Sequence, residues 1–246
     1  MRYLVLSDLH SNWEALQAVL ESAQGKYDQI VCCGDLAGYG PDPNPVIDWA
    51  RTHLNAVIRG NHDRACAGLE DLEWFNPVAK AASIWTMARL TPENLAYLRQ
   101  LPAGPLQVNG FQLIHGSPLD EDEYLMSAAD VRNVFDYLES NVSFFGHTHL
   151  QCGFGRANGT FQMLRRLEGA ESEVWQRFDS EGVYLINPGS VGQPRDGDPR
   201  AAYALFDSDT LELVQRRARY DYDTTRRKIE TAGLPDVLGA RLAIGR

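Results

Sequence analysis

Short apolar runs alternate with amphipathic stretches over the first part of the chain. Residues 2–6, 29–33 and 55–58 are apolar runs of strand length, whereas residues 13–23 place apolar side chains at helical spacing. Residues 45–52 follow a proline-rich PDPNP segment and predict a second, short helix. The resulting β-α-β-α-β order predicts a parallel sheet with helices packed against it.

The pattern changes twice along the rest of the chain. Residues 64–100 are predicted to be mostly helical, and Asn109-Gly110 between two apolar runs is a strong hairpin signal. A further helix is predicted at 128–138 and a strand at 142–145. Five more strands are predicted at 161–164, 173–178, 183–186, 201–206 and 211–215, followed by a polar helix at 223–231. No linker or repeat interrupts this order, so we expect one α/β domain over residues 1–246, with two packed sheets and helices outside.

The net charge and the hydropathy of the chain argue against some classes of binding partner. The formal net charge of −10 argues against a stable nucleic-acid complex or binding to an anionic membrane, because a phosphate backbone requires a basic surface. No apolar stretch approaches the length of a transmembrane helix, and no leader-like segment precedes the strand at residue 2. We therefore expect a cytoplasmic protein, with its oligomeric state left open.

Polar side chains of metal-binding type follow five predicted strands. Asp8, Asp35 and Asn61 come after the first three strands, His115 after the hairpin and His147 after the strand at 142–145. Ligands of α/β sheets bind at the carboxyl ends of the parallel strands. We therefore expect these five segments to converge on one edge of the fold.

The spacing and the chemistry of these residues indicate a metal site. Asp8 and His10 are two residues apart, as are His147 and His149, and such pairs point the same way in an extended chain. Carboxylate, imidazole and amide donors without a thiolate suit divalent Mn, Fe, Zn, Ni or Co.

The motifs DLH, GDLAGYG, GNHD, HGS and GHTH occur in this order, and together they resemble the calcineurin-like metallophosphoesterases over roughly residues 1–200. The stretches SDLHSNWEAL and NPGSVGQPRDG are similar to a small bacterial branch described as phosphodiesterases or diadenosine-tetraphosphatase-like proteins. The resemblance implies a four-layered α/β/β/α sandwich of two mixed sheets.

The resemblance also implies a ligand set and a reaction. One metal ion would be held by Asp8, His10 and His149, a second by Asn61, His115 and His147, and Asp35 would bridge the two. The implied activity is dinuclear-metal-dependent hydrolysis of small phosphodiesters or phosphoanhydrides, in which a metal-bridging hydroxide attacks phosphorus.

Five further residues have expected roles at the substrate. The resemblance makes His62 the general acid, and we expect the neighbouring Asp63 to orient its imidazole and raise its pKa. Asn12 is expected either to contact the substrate phosphate or to cap the following helix, and both roles are compatible. Arg59 can reach phosphate or form a salt bridge at the strand end, and Arg195 is expected to contact substrate.

Three other functions of the same fold were compared with the sequence. A diadenosine-tetraphosphatase-type nucleotide hydrolase uses the same site. A protein phosphatase is disfavoured, because GDLAGYG and GNHD stand where that branch carries GDxxDRG and GNHE. A non-catalytic binding scaffold of the same fold is disfavoured by the complete ligand set. The acidic run at residues 120–123 is interpreted as a solvated loop beside the site.

Overall fold

Twelve strands form two six-stranded sheets in the computed structural model, which describes residues 1–246. In chain order the strands are β1 (Arg2–Leu6), β2 (Gln29–Cys32), β3 (Ala56–Val57), β4 (Leu106–Val108), β5 (Phe111–Leu113), β6 (Val142–Phe144), β7 (Cys152–Ala157), β8 (Thr160–Met163), β9 (Glu173–Arg177), β10 (Val183–Asn187), β11 (Ala201–Asp207) and β12 (Glu212–Ala218).

Eight α-helices accompany the sheets. They are α1 (Trp13–Ala23), α2 (Pro43–His53), α3 (Asn61–Cys66), α4 (Pro77–Met87), α5 (Pro92–Gln100), α6 (Ala128–Arg132), α7 (Tyr222–Ala232) and α8 (Asp236–Leu242). Short 3-10 turns lie at Leu72–Trp74 and Val134–Tyr137. The starts of α4 and α5 follow from local sequence, because Asn76 and Thr91 cap them and a proline occupies the first helical position of each.

Each sheet contains both parallel and antiparallel pairs. The first runs in the order β3-β2-β1-β11-β12-β9 and the second in the order β4-β5-β6-β10-β7-β8. Strands β1, β2 and β3 pair in parallel, as do β5, β6 and β10, and the other pairs are antiparallel. The parallel parts of both sheets therefore carry several carboxyl ends to the same edge.

Alternation along β1 builds two layers of core. Tyr3 and Val5 face the second sheet and pack in the cluster that fills the space between the sheets. Leu4 and Leu6 face the other way and pack against Leu16 of α1. This alternation is the period of two expected of a strand buried on both faces.

A third apolar cluster covers the outer face of the second sheet. Phe154 and Leu185 of that sheet pack there with Val131 of α6 and with Phe135. The order of layers is thus helix, sheet, sheet, helix, and the predicted four-layered sandwich of two mixed sheets is confirmed.

Three local predictions differ from the structure. Strand β7 was missing from the predicted set, because the glycines in CGFGRA lower strand propensity. The helix predicted at 128–138 is divided into α6 and a 3-10 turn. A short helix, α3, begins at Asn61 and so places a predicted ligand at a helix start. None of the helices combines the length and the apolar character that crossing a bilayer requires.

Candidate metal centre

The structure brings together all seven side chains predicted to bind metal. They form two groups of potential ligands, and within each group the carboxylate and imidazole donor atoms lie within 4.8 Å of one another. The groups are Asp8, His10, Asp35 and His149, and Asp35, His115 and His147, with the Asn61 amide oxygen 3.0 Å from His147 Nδ1. Asp35 belongs to both.

The backbone of the ligand loops is unusual. Asp8, His10, Asp35, His147 and His149 all have positive φ, between 45° and 64°. This left-handed region is uncommon for residues other than glycine and is a recurrent form of strain at functional sites. The paired ligands converge through these loops and not through an extended chain, so the predicted reason for their convergence was wrong although the convergence itself is observed.

Backbone carbonyls orient the imidazoles of the first group. Nδ1 of His10 donates to Ala37 O at 3.0 Å, and Nδ1 of His149 donates to Gln193 O at 2.6 Å. Each Nε2 is then left with its lone pair, and the two Nε2 atoms face each other at 3.0 Å. Two lone pairs at this separation repel unless a cation or a proton lies between them.

The second group is oriented in the same way. Nδ1 of His115 donates to Cys33 O at 2.8 Å, which directs Nε2 inward. His147 is reversed, because its Nε2 donates to Asp122 O at 3.1 Å and its Nδ1 faces inward toward Asn61. A carbonyl acceptor on the outer nitrogen fixes the tautomer of a metal-binding histidine.

Each buried carboxylate keeps one oxygen free. Asp8 Oδ1 accepts the His147 N–H at 3.1 Å and Asp35 Oδ1 accepts the His62 N–H at 2.9 Å. The Oδ2 atoms of both carboxylates are buried and have no hydrogen-bond partner. Such an unsatisfied buried oxygen is costly unless a cation compensates for it.

The position of Asp35 Oδ2 is central. It lies 3.6 Å from His10 Nε2 and 3.4 Å from His115 Nε2, that is, from one imidazole of each group. Asp8 Oδ1, which accepts the His147 N–H, lies 3.5 Å from His149 Nε2. Asp35 is therefore the one side chain placed to serve both groups.

The two buried carboxyl groups of the cluster differ in pKa. Burial raises the pKa of Asp8 to about 7. At Asp35 burial is outweighed by the neighbouring His115 imidazolium, which holds the pKa of that carboxyl well below its usual range. The pKa of His115 is correspondingly raised to about 9, since the attraction of Asp35 exceeds the cost of burial.

The other imidazoles are suited to act as neutral donors. Burial lowers the pKa of His147 to about 3, and burial also holds the pKa values of His10 and His149 well below the usual range for histidine. Metal binding requires a deprotonated ring nitrogen. Inward lone pairs, unsatisfied carboxylate oxygens and neutral imidazoles together fit divalent metal ions at this place.

Two glycines permit the close approach of the ligand loops. A Cβ at Gly60 would lie 2.1 Å from Asp35 Oδ1, and one at Gly146 would lie 2.1 Å from Ser7 Oγ and 3.0 Å from Asp8 Oδ2. A side chain at Gly60 would displace the Asp35 carboxylate, and one at Gly146 would displace the Ser7 hydroxyl and crowd Asp8.

His62 lines the cleft beside the cluster, but its environment differs from the expected one. Both oxygens of Asp63 accept backbone N–H groups, from Ala37 at 2.9 Å and from Gly60 at 3.1 Å. His62 Nδ1 is buried without a partner, and burial lowers the pKa of the ring to about 4. The expectation that Asp63 orients this imidazole and raises its pKa was wrong, because Asp63 instead holds the start of α3.

Two of the expected substrate contacts are engaged elsewhere. Asn12 is buried, accepts the Ala15 N–H as the cap of α1, and donates to Gly192 O at 2.8 Å. Arg59 forms a salt bridge with Glu121 at 3.1 Å. Asn12 thus caps α1 and Arg59 forms the salt bridge offered as its alternative role, and contact of either residue with substrate stays a prediction.

Arg195 remains available at the site. Its guanidinium lies 5.5 Å from the centre of the Tyr39 ring and donates to Gln193 Oε1 at 2.9 Å, with no carboxylate in salt-bridge contact. Its charge contributes to the lowered pKa values of His10 and His62, although burial is the larger cause for both. Its role in binding substrate stays a prediction.

Several contributors to the site were not predicted from the sequence. Asp122 belongs to the acidic run that was interpreted as a solvated loop, yet its carbonyl orients His147, and the Tyr124 ring lies 4.0 Å from the same imidazole. A cleft of about 350 Å³ beside the cluster is also lined by Trp74 and Phe75. Backbone carbonyls have no signature in the sequence, and the two aromatic residues stand in no motif.

The chain is similar to known proteins over its whole length. Residues 1–211 match the family model of the calcineurin-like phosphoesterase superfamily domain. A metallophosphoesterase from Sphaerobacter thermophilus has a crystal structure similar to this one, with a TM-score of 0.87 and 38% identity, over 100% of this chain and 99% of that chain.

Two archaeal proteins are also similar. An uncharacterized protein of Methanocaldococcus jannaschii is 36% identical over 248 residues, which cover 98% of this chain and 97% of the relative. A hypothetical protein from Pyrococcus horikoshii OT3 shares the fold, with a TM-score of 0.79 and 20% identity over 100% of this chain and 98% of that chain.

Proposed function

Because the chain belongs to the calcineurin-like phosphoesterase superfamily, we propose that it is a metal-dependent phosphoesterase that hydrolyses small phosphodiesters or phosphoanhydrides. The observation that carries this proposal is the pair of donor groups sharing Asp35, with a buried and unpartnered Oδ2 between them. Neutral inward-facing imidazoles complete a set of oxygen and nitrogen donors suited to divalent metal ions.

The residues that would hold the metals are divided between the two groups. Two divalent cations, when bound, would lower the pKa of a water for attack on phosphorus and neutralise charge on the phosphate oxygens. The first ion would be held by Asp8, His10 and His149, the second by Asn61, His115 and His147, and Asp35 would contact both.

His62 and Arg195 complete the proposed mechanism. The imidazole of His62 is neutral in the metal-free protein, and a phosphate anion bound beside it raises its pKa. The ring then carries a proton when substrate is present and donates it to the leaving oxygen. Arg195 has no carboxylate partner and binds a non-bridging phosphate oxygen.

The aromatic cleft favours substrates with a flat group, including nucleotides. Tyr39, Trp74, Phe75 and Tyr124 line the same cleft as His62. An aromatic face can stack on a nucleobase or an aryl ester. This lining supports a diadenosine-tetraphosphatase-type nucleotide hydrolase as a second candidate within the same chemistry.

The activity is tested with bis-p-nitrophenyl phosphate as substrate. We expect no hydrolysis after chelation and dialysis, and restored hydrolysis after Mn²⁺ is added, because the donor set holds the ions that activate water. The melting temperature of the metal-free protein should rise with Mn²⁺, since binding to the folded state stabilises it. An absence of hydrolysis of diesters, nucleotides and dinucleoside polyphosphates with Mn²⁺, Fe²⁺, Zn²⁺ and Ni²⁺ contradicts the proposal.

The role of the cleft is tested by Trp74→Ala. The side chain is 93% exposed, so its removal leaves no cavity in the core. We expect KM for bis-p-nitrophenyl phosphate to rise about fivefold or more, with kcat little changed, because stacking contributes about 1–3 kcal/mol per ring. Trp175, which lies on β9 and is 62% exposed, provides the matched control as Trp175→Ala. Equal kinetic constants for the two variants would remove Trp74 from substrate binding.

A further inference from the structure

A second and larger cavity lies outside the metal centre. Its volume is about 710 Å³, and it is formed by the loop after β8, the loop before β11 and the end of β12. This size is within the range of pockets that hold small molecules. None of the seven proposed metal ligands lines it.

The lining of this cavity is positively charged in an acidic protein. It contains four arginines and two aspartates, whereas the whole chain carries a formal net charge of −10. The arginines are Arg166, Arg200, Arg217 and Arg219. A concave surface of one sign concentrates ions of the opposite sign, so the cavity attracts anions.

Two of these arginines are neutralised and build the floor of the cavity. Arg217 is 8% exposed, forms a salt bridge with Asp196, and donates to Gln151 Oε1 at 3.0 Å. Arg200 forms a salt bridge with Asp198 at 2.6 Å. The pair of Arg217 and Asp196 holds the loop that follows Arg195 against β12.

The other two arginines have no such partner. Arg166 and Arg219 form no salt bridge and no side-chain hydrogen bond, although both line the cavity from opposite segments of the chain. Tyr220 and Tyr222 also line the cavity and add hydroxyl groups and ring faces. Each guanidinium group presents a fork of N–H donors that suits phosphate oxygens.

We propose that this cavity binds a small phosphorylated molecule through Arg166 and Arg219, at a site separate from the metal centre. The lining has two more arginines than aspartates, so its formal charge is +2, the charge of the two unpaired guanidinium groups. This charge matches that of a phosphate-type dianion. The cavity shares a loop with the metal centre, because the Gln151 N–H donates to Asp196 and the Arg195 N–H donates to His149 O. The site therefore lies on the far side of the loop that carries Arg195.

The test uses metal-free protein, so that the metal centre cannot hold an anion through bound cations. Pyrophosphate is titrated by calorimetry into the wild type, into the double variant Arg166→Gln with Arg219→Gln, and into the control Arg165→Gln. Arg165 is the matched control, because it is exposed, pairs with Glu171 and does not line the cavity. Melting temperatures and circular dichroism establish that each variant is folded.

We expect saturable binding to the wild type and to the Arg165 control, and binding weakened by about tenfold or more in the double variant. Equal affinity in the double variant would overturn the proposal, as would the absence of binding to the wild type. A parallel titration with citrate separates phosphate from carboxylate ligands, and tighter binding of citrate than of pyrophosphate would also overturn it. Since no metal is present, the result is independent of whether the protein is a phosphoesterase.

Discussion

Replacement of Asp35 by asparagine is expected to abolish hydrolysis of phosphodiesters and to disrupt both metal sites together. The Oδ2 atom of Asp35 is the only donor placed beside an imidazole of each group, at 3.6 Å from His10 and 3.4 Å from His115. Asparagine keeps the size of the side chain and the Oδ1 acceptor for the His62 N–H, but it loses the charge that two cations would share. We expect kcat/KM to fall by about 10³-fold or more, roughly 4 kcal/mol of transition-state stabilisation.

Metal content measured by mass spectrometry separates loss of metal from loss of chemistry. We expect the wild type to bind two equivalents of Mn²⁺ per chain and Asp35→Asn to bind fewer than one. Asp48→Asn is the matched control, because that carboxylate lies on α2 and is 60% exposed on its side chain. Full metal content and full activity in Asp35→Asn would show that the carboxylate does not bridge.

Replacement of His62 by alanine is expected to leave the metals in place and to remove most turnover. The ring lines the cleft but belongs to neither donor group, and its Nδ1 has no partner within the protein. General acid catalysis contributes about 10²–10⁴-fold, and we expect kcat for esters with poor leaving groups to fall within that range. The loss should be smaller with p-nitrophenyl esters, because a good leaving group departs without a proton.

The comparison of leaving groups decides the role of His62. The rates of hydrolysis of unsubstituted phenyl and p-nitrophenyl esters are compared between His62→Ala and the control His53→Ala. His53 ends α2 and contacts Trp49 O. An equal loss for both esters would contradict proton donation and leave only an electrostatic role. Wild-type turnover of both esters would exclude His62 from the mechanism, and loss of metal from the variant would place it among the ligands.

The candidate ligands could be predicted because each follows a strand, and the pattern of apolar residues in the sequence shows where a strand ends. Asp8 follows β1, Asp35 follows β2 and His147 follows β6, and the parallel pairing of these strands within each sheet brings such positions to one edge. The predicted convergence of these side chains is observed, although the local geometry differs from the expected one. Positive φ values at Asp8 and His147 show that loop conformation, and not strand alternation, aims the donors.

The distant partners of Asn12, Arg59 and Asp63 could not be predicted, because the local sequence does not show them. Asn12 donates to Gly192 O, 180 positions away along the chain, and Arg59 pairs with Glu121, 62 positions away. Asp63 is adjacent to His62 in sequence, yet its carboxylate turns to backbone N–H groups of neighbouring loops. A polar residue in a motif has several possible partners, and folding selects among them.

By itself, the sequence determined that two sheets pack with helices outside and that candidate metal ligands follow the strands, because hydrophobic periodicity and strand order are properties of the linear chain. The four-layered sandwich and the division of ligands between two ions came from the motifs that resemble the family. Only the tertiary structure decided how the imidazoles point, which carboxylate oxygen is shared and where the arginine-lined cavity lies. Carbonyls from Ala37, Cys33, Asp122 and Gln193 set the orientation of the rings. Hydrogen bonds and ion pairs of this kind join residues that become neighbours only when the chain is folded.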